Sequence, residues 1–209
     1  MEKKFFIIIG RSGSGKGTQA DLLKAYLEKK GTDLVSPENS VGQGKVLHIT
    51  TGGNFRKFTL GESFAAKKAF TLASEGSLLP EFLGIWNWSN IFIETLEGNE
   101  TVILDGAPRR MAEVEALHSA LKFYEYDHAT VIYLDVSATW ALDKLANRKR
   151  EDDTKSEFAE KKMEWFETDV LPVLDMYSRD PRFTYVHVNG EQTVEEVHEE
   201  LLDKVFSLD

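Results

Sequence analysis

The chain has 209 residues, no cysteine and a formal net charge of −10. Its length suits one domain with a large core, and the lack of thiols excludes disulfides, zinc knuckles and thiol catalysis. The acidic balance argues against a nucleic-acid surface, although it leaves room for local basic pockets that hold a small anion. From the N-terminus, the apolar run Phe5–Ile9 is too short for a signal core or a membrane span, and it reads as a buried strand. It runs directly into Gly10–Thr18, GRSGSGKGT, where four of the eight residues from Gly10 to Gly17 are glycine. Such a stretch can curl around an anion and point successive N–H groups inward. Lys16 follows where its ammonium can reach the outer phosphates, and Thr18–Leu27 has a helical pattern that adds the positive end of a dipole. A dinucleotide fingerprint fits less well, because the last glycine of G-x-G-x-x-G is absent.

Residues Gly31–Lys45, rich in Gly, Ser, Pro and Asn, read as an exposed loop. Further runs rich in β-branched or aromatic residues follow at Val46–Thr50, Thr101–Asp105, Thr130–Val136 and Phe183–Val188. Helical segments separate them, which is the alternation of a parallel sheet covered on both faces. Gly52–Trp88 is long, helical in pattern and without a strand, as a flap would be. Met111, Val114, Leu117 and Leu121 form an apolar stripe, and Thr193 with Glu196 makes a capping box before Val194, Val197, Leu201 and Val205. His48 reads as a structural strand residue, the four tryptophans as packing, and the histidines show no metal-ligand spacing.

Four clusters beyond the glycine loop carry phosphoryl-transfer chemistry: His48–Arg56 (HITTGGNFR), Gly76–Pro80 (GSLLP), Leu104–Arg109 (LDGAPR) and Arg148–Asp153 (RKREDD). Together with GSGKGTQ at Gly13–Gln19, their order resembles the adenylate kinase family of nucleoside monophosphate kinases over essentially the whole chain, ending at Asn189-Gly190-Glu191. The resemblance implies a P-loop NTPase-type α/β/α fold with a five-stranded parallel sheet. A helical acceptor-binding flap would cover about 51–81 and a short lid about 148–156, with the core at 1–50, 82–147 and 157–209.

The same resemblance implies roles for particular residues. Gly13, Ser14, Gly15, Lys16, Gly17, Thr18, Lys144, Arg148, Glu191 and Gln192 would bind ATP. Thr51, Gly52, Arg56, Leu78, Leu79, Gly106, Arg109 and Glu113 would bind the acceptor monophosphate. Thr18 and Asp105 would hold Mg²⁺, partly through water, and Lys16, Arg109, Arg148, Arg150 and Lys161 would stabilise the transferring group. Asp152 and Asp153 would be the lid's acidic pair. Independently of the family, transfer between two anions needs convergent cations, Mg²⁺, excluded water and in-line geometry.

Departures from the family pattern include Ser12 for a proline, Gly53 for an aspartate, and Lys144 and Lys161 for arginines; lysine lacks the planar fork of guanidinium. Glu113 stands where a glutamine reads adenine, and an ionised carboxylate only accepts hydrogen bonds. That favours GMP as acceptor, whereas Thr51 and the overall pattern favour AMP. The expectation is a cytoplasmic, monomeric, ATP- and Mg²⁺-dependent adenylate kinase acting on small nucleotides, with no nucleic-acid or membrane partner. Alternatives are a kinase preferring another monophosphate and a nucleotide-binding module of weak turnover. No N-K-x-D guanine-reading motif of a GTPase switch occurs.

Overall fold

A computed structural model describes residues 3–33, 45–147 and 156–207. Five strands lie side by side, all parallel, in the order β2-β3-β1-β4-β5: β1 (Phe5–Gly10), β2 (Val46–Thr50), β3 (Thr101–Asp105), β4 (Ala129–Asp135) and β5 (Phe183–Asn189). Each expected strand is present to within about a residue. The helices are α1 (Lys16–Asp33), α2 (Thr51–Thr59), α3 (Phe64–Ser74), α4 (Glu81–Thr95), α5 (Met111–Phe123), α6 (Ala138–Ala146), α7 (Ser156–Trp165), α8 (Leu171–Arg179) and α9 (Val194–Phe206). A π-helical turn, Phe166–Val170, joins α7 to α8.

Alternation along the strands sorts the core into two layers. Phe5, Ile7, Val102, Leu104, Val131 and Tyr133 face α4, α5 and α8 through Trp88, Phe92, Val114, Leu117, Val173 and Tyr177. Phe6, Ile8, Ile103, Ile132, Leu134, Val186 and Val188 face α1 and α9 through Ala20, Leu23, Leu27, Val197, Leu201 and Val205. Both faces of the central strands β1, β3 and β4 are therefore dry, as a parallel sheet requires, and successive side chains of one strand serve opposite layers.

Two details differ from the sequence reading. Helix α1 continues through Gly31 to Asp33 where a loop was expected to begin; one glycine costs a helix only about 1 kcal/mol, and the first proline comes later, at Pro37. The rest of that expected loop, 34–44, and most of the expected lid, 148–155, lie outside the described residues. Met111 is exposed although Val114, Leu117 and Leu121 are buried, because it begins α5 before the helix has packed on the sheet. The capping box at Thr193 and Glu196 is formed as expected. Among the described residues no helix is long and apolar enough to cross a membrane.

Candidate active site

At the carboxyl ends of β1, β2 and β3, one cavity of about 1250 Å³ extends from the glycine loop to the helices that follow β2. A pocket for one small ligand is on the order of 300–1,000 Å³, so this one is larger than a single small ligand needs. One wall is Gly10, Ser12, Gly13, Gly15, Lys16, Gly17 and Thr18; facing residues include Gly52, Phe55, Arg56, Gly106 and Arg109, with Lys144, Phe158, Lys162 and Trp165 completing the enclosure.

The loop geometry follows from its glycines at two places. Gly13 has φ +93°, and a Cβ there would come 2.7 Å from the Ala141 carbonyl oxygen of α6. Gly15 has φ +90° with open space around it, so only its backbone conformation, and no neighbour, demands glycine. Lys16 Nζ donates to the carbonyl oxygens of Gly10 and Arg11 at 2.8 and 2.7 Å, which folds its ammonium across the mouth of the loop. Ser14 is buried, and its hydroxyl lacks a hydrogen-bond partner.

Across the cavity, Thr50 caps α2 and Thr51 lies buried beneath it, donating to the Asp105 carbonyl oxygen at 3.0 Å. Arg109 Nε donates to the Gly106 carbonyl oxygen at 2.8 Å, and its guanidinium lies over the Trp165 ring. Burial lowers the Arg109 pKa, opposed by the charges of Glu113 and Asp105; an arginine so placed nevertheless stays charged. His48 Nδ1 pairs with Asp21 at 2.9 Å, and Nε2 lies 3.8 Å from Asp105. Burial alone would lower the His48 pKa, but Asp105 and then Asp21 outweigh it and raise it. His48 is therefore part of the cavity wall and not only a strand residue.

Of the residues singled out in the sequence, Gly13, Gly15, Lys16, Gly17, Thr18, Lys144, Gly52, Arg56, Asp105, Gly106 and Arg109 line this one cavity. Other expected residues are placed elsewhere. Leu78 and Leu79 are half-buried off the wall, with the Leu79 carbonyl oxygen accepting from Arg110 at 2.8 Å. Glu191 accepts from the Ser137 backbone N–H at the start of α6, and Gln192 donates to the Asn189 carbonyl oxygen and to Glu200. Lys161 Nζ donates to the Glu75 carbonyl oxygen at 2.9 Å, while its neighbour Lys162 lines the cavity. Glu113 is buried, its carboxyl against Gly84 of α4; burial raises its pKa and the charge of Arg109 opposes the shift. Arg148, Arg150, Asp152 and Asp153 lie outside the described residues.

Sequence reasoning missed Asp21, Phe55, Phe70, Phe158, Lys162 and Trp165 as wall residues. The signal for three of them was the i, i+4, i+7 spacing of Phe158, Lys162 and Trp165, which puts them on one helix face.

A glycine loop with its lysine between β1 and α1, facing an arginine-lined second wall at the strand ends, defines a P-loop-type α/β/α protein. No family model matches the chain. It is similar to adenylate kinase 1 of Nostoc sp., with 29% identity covering 93% of this chain and 95% of that one. Adenylate kinases of Bacteroides fragilis (28% identity, 97% and 98%) and Nautilia profundicola (29%, 95% and 94%) match over similar lengths. Over nearly its whole length, then, the chain is similar to adenylate kinases.

Proposed function

We propose that the protein transfers the γ-phosphoryl group of ATP reversibly to AMP, giving two ADP. The observation that carries this reading is the single cavity joining the glycine loop and Lys16 to Arg56 and Arg109. Lys16 and the loop N–H groups would hold the donor's phosphates, Arg56 and Arg109 the acceptor's phosphate. With cations on both sides, the mutual repulsion of two anions is offset and the attacking oxygen is held in line; no covalent enzyme intermediate is needed. Phe55, Phe70, Phe158 and Trp165 supply apolar wall that excludes water, which would otherwise compete as acceptor. We assign α2, α3 and the start of α4 to the acceptor flap.

The donor set suits Mg²⁺. Thr18 and Asp105 share the cavity wall, and a Cβ on Gly17 would lie 3.6 Å from Asp105 Oδ2, so that carboxylate faces the loop. A hydroxyl and one carboxylate are what this ion takes from a protein when phosphates and water complete its shell. Bound there, it would neutralise charge developing between donor and acceptor. Cytoplasmic location and a monomeric state remain part of the reading.

Glu113 favours a guanine acceptor by its chemistry, but its place off the cavity wall, beside Arg109 and against Gly84, favours a role in balancing that arginine's charge. The test is kcat/KM for AMP, GMP, CMP, UMP and dTMP with ATP. AMP is expected to lead; a strong GMP preference overturns AMP as acceptor, and nucleotide binding without transfer to any monophosphate overturns the enzyme.

A further inference from the structure

Helix α7 presents two adjacent lysines to different surroundings. Lys162 is half-buried and lines the cavity together with Phe158, one turn before it, and Trp165, one turn after. Trp165 in turn lies under the Arg109 guanidinium, with Cζ 5.4 Å from the ring centre. On its other side α7 packs Ala159 and Met163 against Ala141 and Leu145 of α6, the helix whose Ala141 carbonyl touches the loop at Gly13. Lys162 is thereby held between the two phosphate-facing walls. Lys161 is exposed and turned 100° around the helix, with its ammonium on the Glu75 carbonyl oxygen at the end of α3.

The end of α3 is seated on α7 closely. Gly76 has φ +71°, and a Cβ there would come 2.9 Å from Phe158 Cα. No side chain fits, and Lys161 closes over the same junction.

We infer that Lys162, and not Lys161, is the α7 cation that meets the transferring phosphate, whereas Lys161 is a positioning residue that ties the end of α3 to α7. The catalytic half of this assignment rests on the phosphoryl-transfer reading above; the placement of Lys162 on the cavity wall does not. A point charge in a partly dry cavity acts on charge developing in the transition state, where loss of one such donor costs about 100- to 1,000-fold in rate. A lysine on a carbonyl at the rim contributes instead to how readily the acceptor side closes.

The experiment compares wild type with Lys162→Met, Lys162→Arg, Lys161→Met and Lys161→Arg, each checked for a cooperative melt. ATP affinity is measured by titration and kcat and KM by ADP formation. Lys162→Met is expected to weaken ATP binding about 10-fold and lower kcat at least 100-fold, with Lys162→Arg restoring part of both. Lys161→Met is expected to raise KM for AMP about 3- to 10-fold with a much smaller fall in kcat, and Lys161→Arg to restore KM. Equal losses at the two positions, or a larger loss of ATP affinity or kcat at Lys161, overturn the assignment. If wild type transfers to no monophosphate, the enzymatic reading fails, yet the ATP titrations still decide which lysine meets the phosphates.

Discussion

The Arg109 guanidinium stacks on Trp165, Cζ to ring centre 5.4 Å, so a residue just after β3 is braced by one from α7. The contact lies within the cavity wall, where a cation over an aromatic face gains about 0.5–2 kcal/mol. Trp165→Leu keeps apolar bulk and removes the π face. We expect KM for AMP to rise about 2- to 10-fold with kcat nearly retained, as steady-state kinetics would read. Arg109→Met removes the cation itself and is expected to lower kcat/KM by at least 100-fold. Equal effects of the two substitutions would mean that Trp165 does more than brace.

Gly13 and Gly15 share a positive φ but not a neighbourhood. Gly15→Ala should cost only the strain of a left-handed backbone, about 1–2 kcal/mol. Gly13→Ala adds a clash with the Ala141 carbonyl, which is backbone and cannot rotate away. The melting temperature is therefore expected to fall further for Gly13→Ala, with weaker ATP binding as the loop is pushed off α6. Equal melting points would contradict the packing argument.

His118 gives stability a pH dependence of known sign. Burial, and then the charge of Arg182, lower its pKa below 6.5, with Asp180 opposing. The unfolded chain therefore binds the proton more readily than the folded one. Its contribution is complete above pH 6.5 and is lost as pH falls through the folded value. The ring stacks on Phe183, centroids 4.9 Å apart, so His118→Phe preserves the shape and removes the titration. Melting curves from pH 8 to 5 should show a smaller decline for His118→Phe than for wild type; a parallel decline would exclude this source.

Thr193 holds the N-terminus of α9 through both halves of a capping box. Thr193→Ala is expected to cost about 1 kcal/mol, lowering the melting temperature by about 2–4 °C for a domain of this size. Because Thr193 is not part of the cavity wall, kcat should stay within error, and a large kinetic change would show that α9 acts on the site.

The strands were legible in the sequence because burial on both faces leaves uninterrupted apolar runs such as Phe5–Ile9, and the loop because only glycine tolerates the backbone at Gly13 and Gly15. Arg56 and Arg109 could be named from motif order and do share the cavity with Lys16. What was hidden is the direction of a side chain on a helix. Residues 161 and 162 differ by one place in sequence and by 100° in space, and a motif count that lands on Lys161 cannot tell which of them faces inward. Trp165 read as packing because its other edge does pack against the core, and only the fold shows that its free face supports Arg109.

The π-helical turn carries two acids two places apart, and each holds an arginine from a different loop. Glu167 pairs with Arg11 beside the glycines, and Asp169 accepts from Arg110 Nε at 2.8 Å just beyond the β3 loop. Arg11 also covers the Phe166 ring of the same turn, Cζ 4.3 Å from its centre. Both sides of the cleft are thus anchored to one five-residue segment, and we expect a shift at either side to reach the other without crossing the sheet. The measurable outcome is cross-talk: ATP should sharpen affinity for AMP in wild type, and Glu167→Gln with Asp169→Asn should make the two bind as strangers.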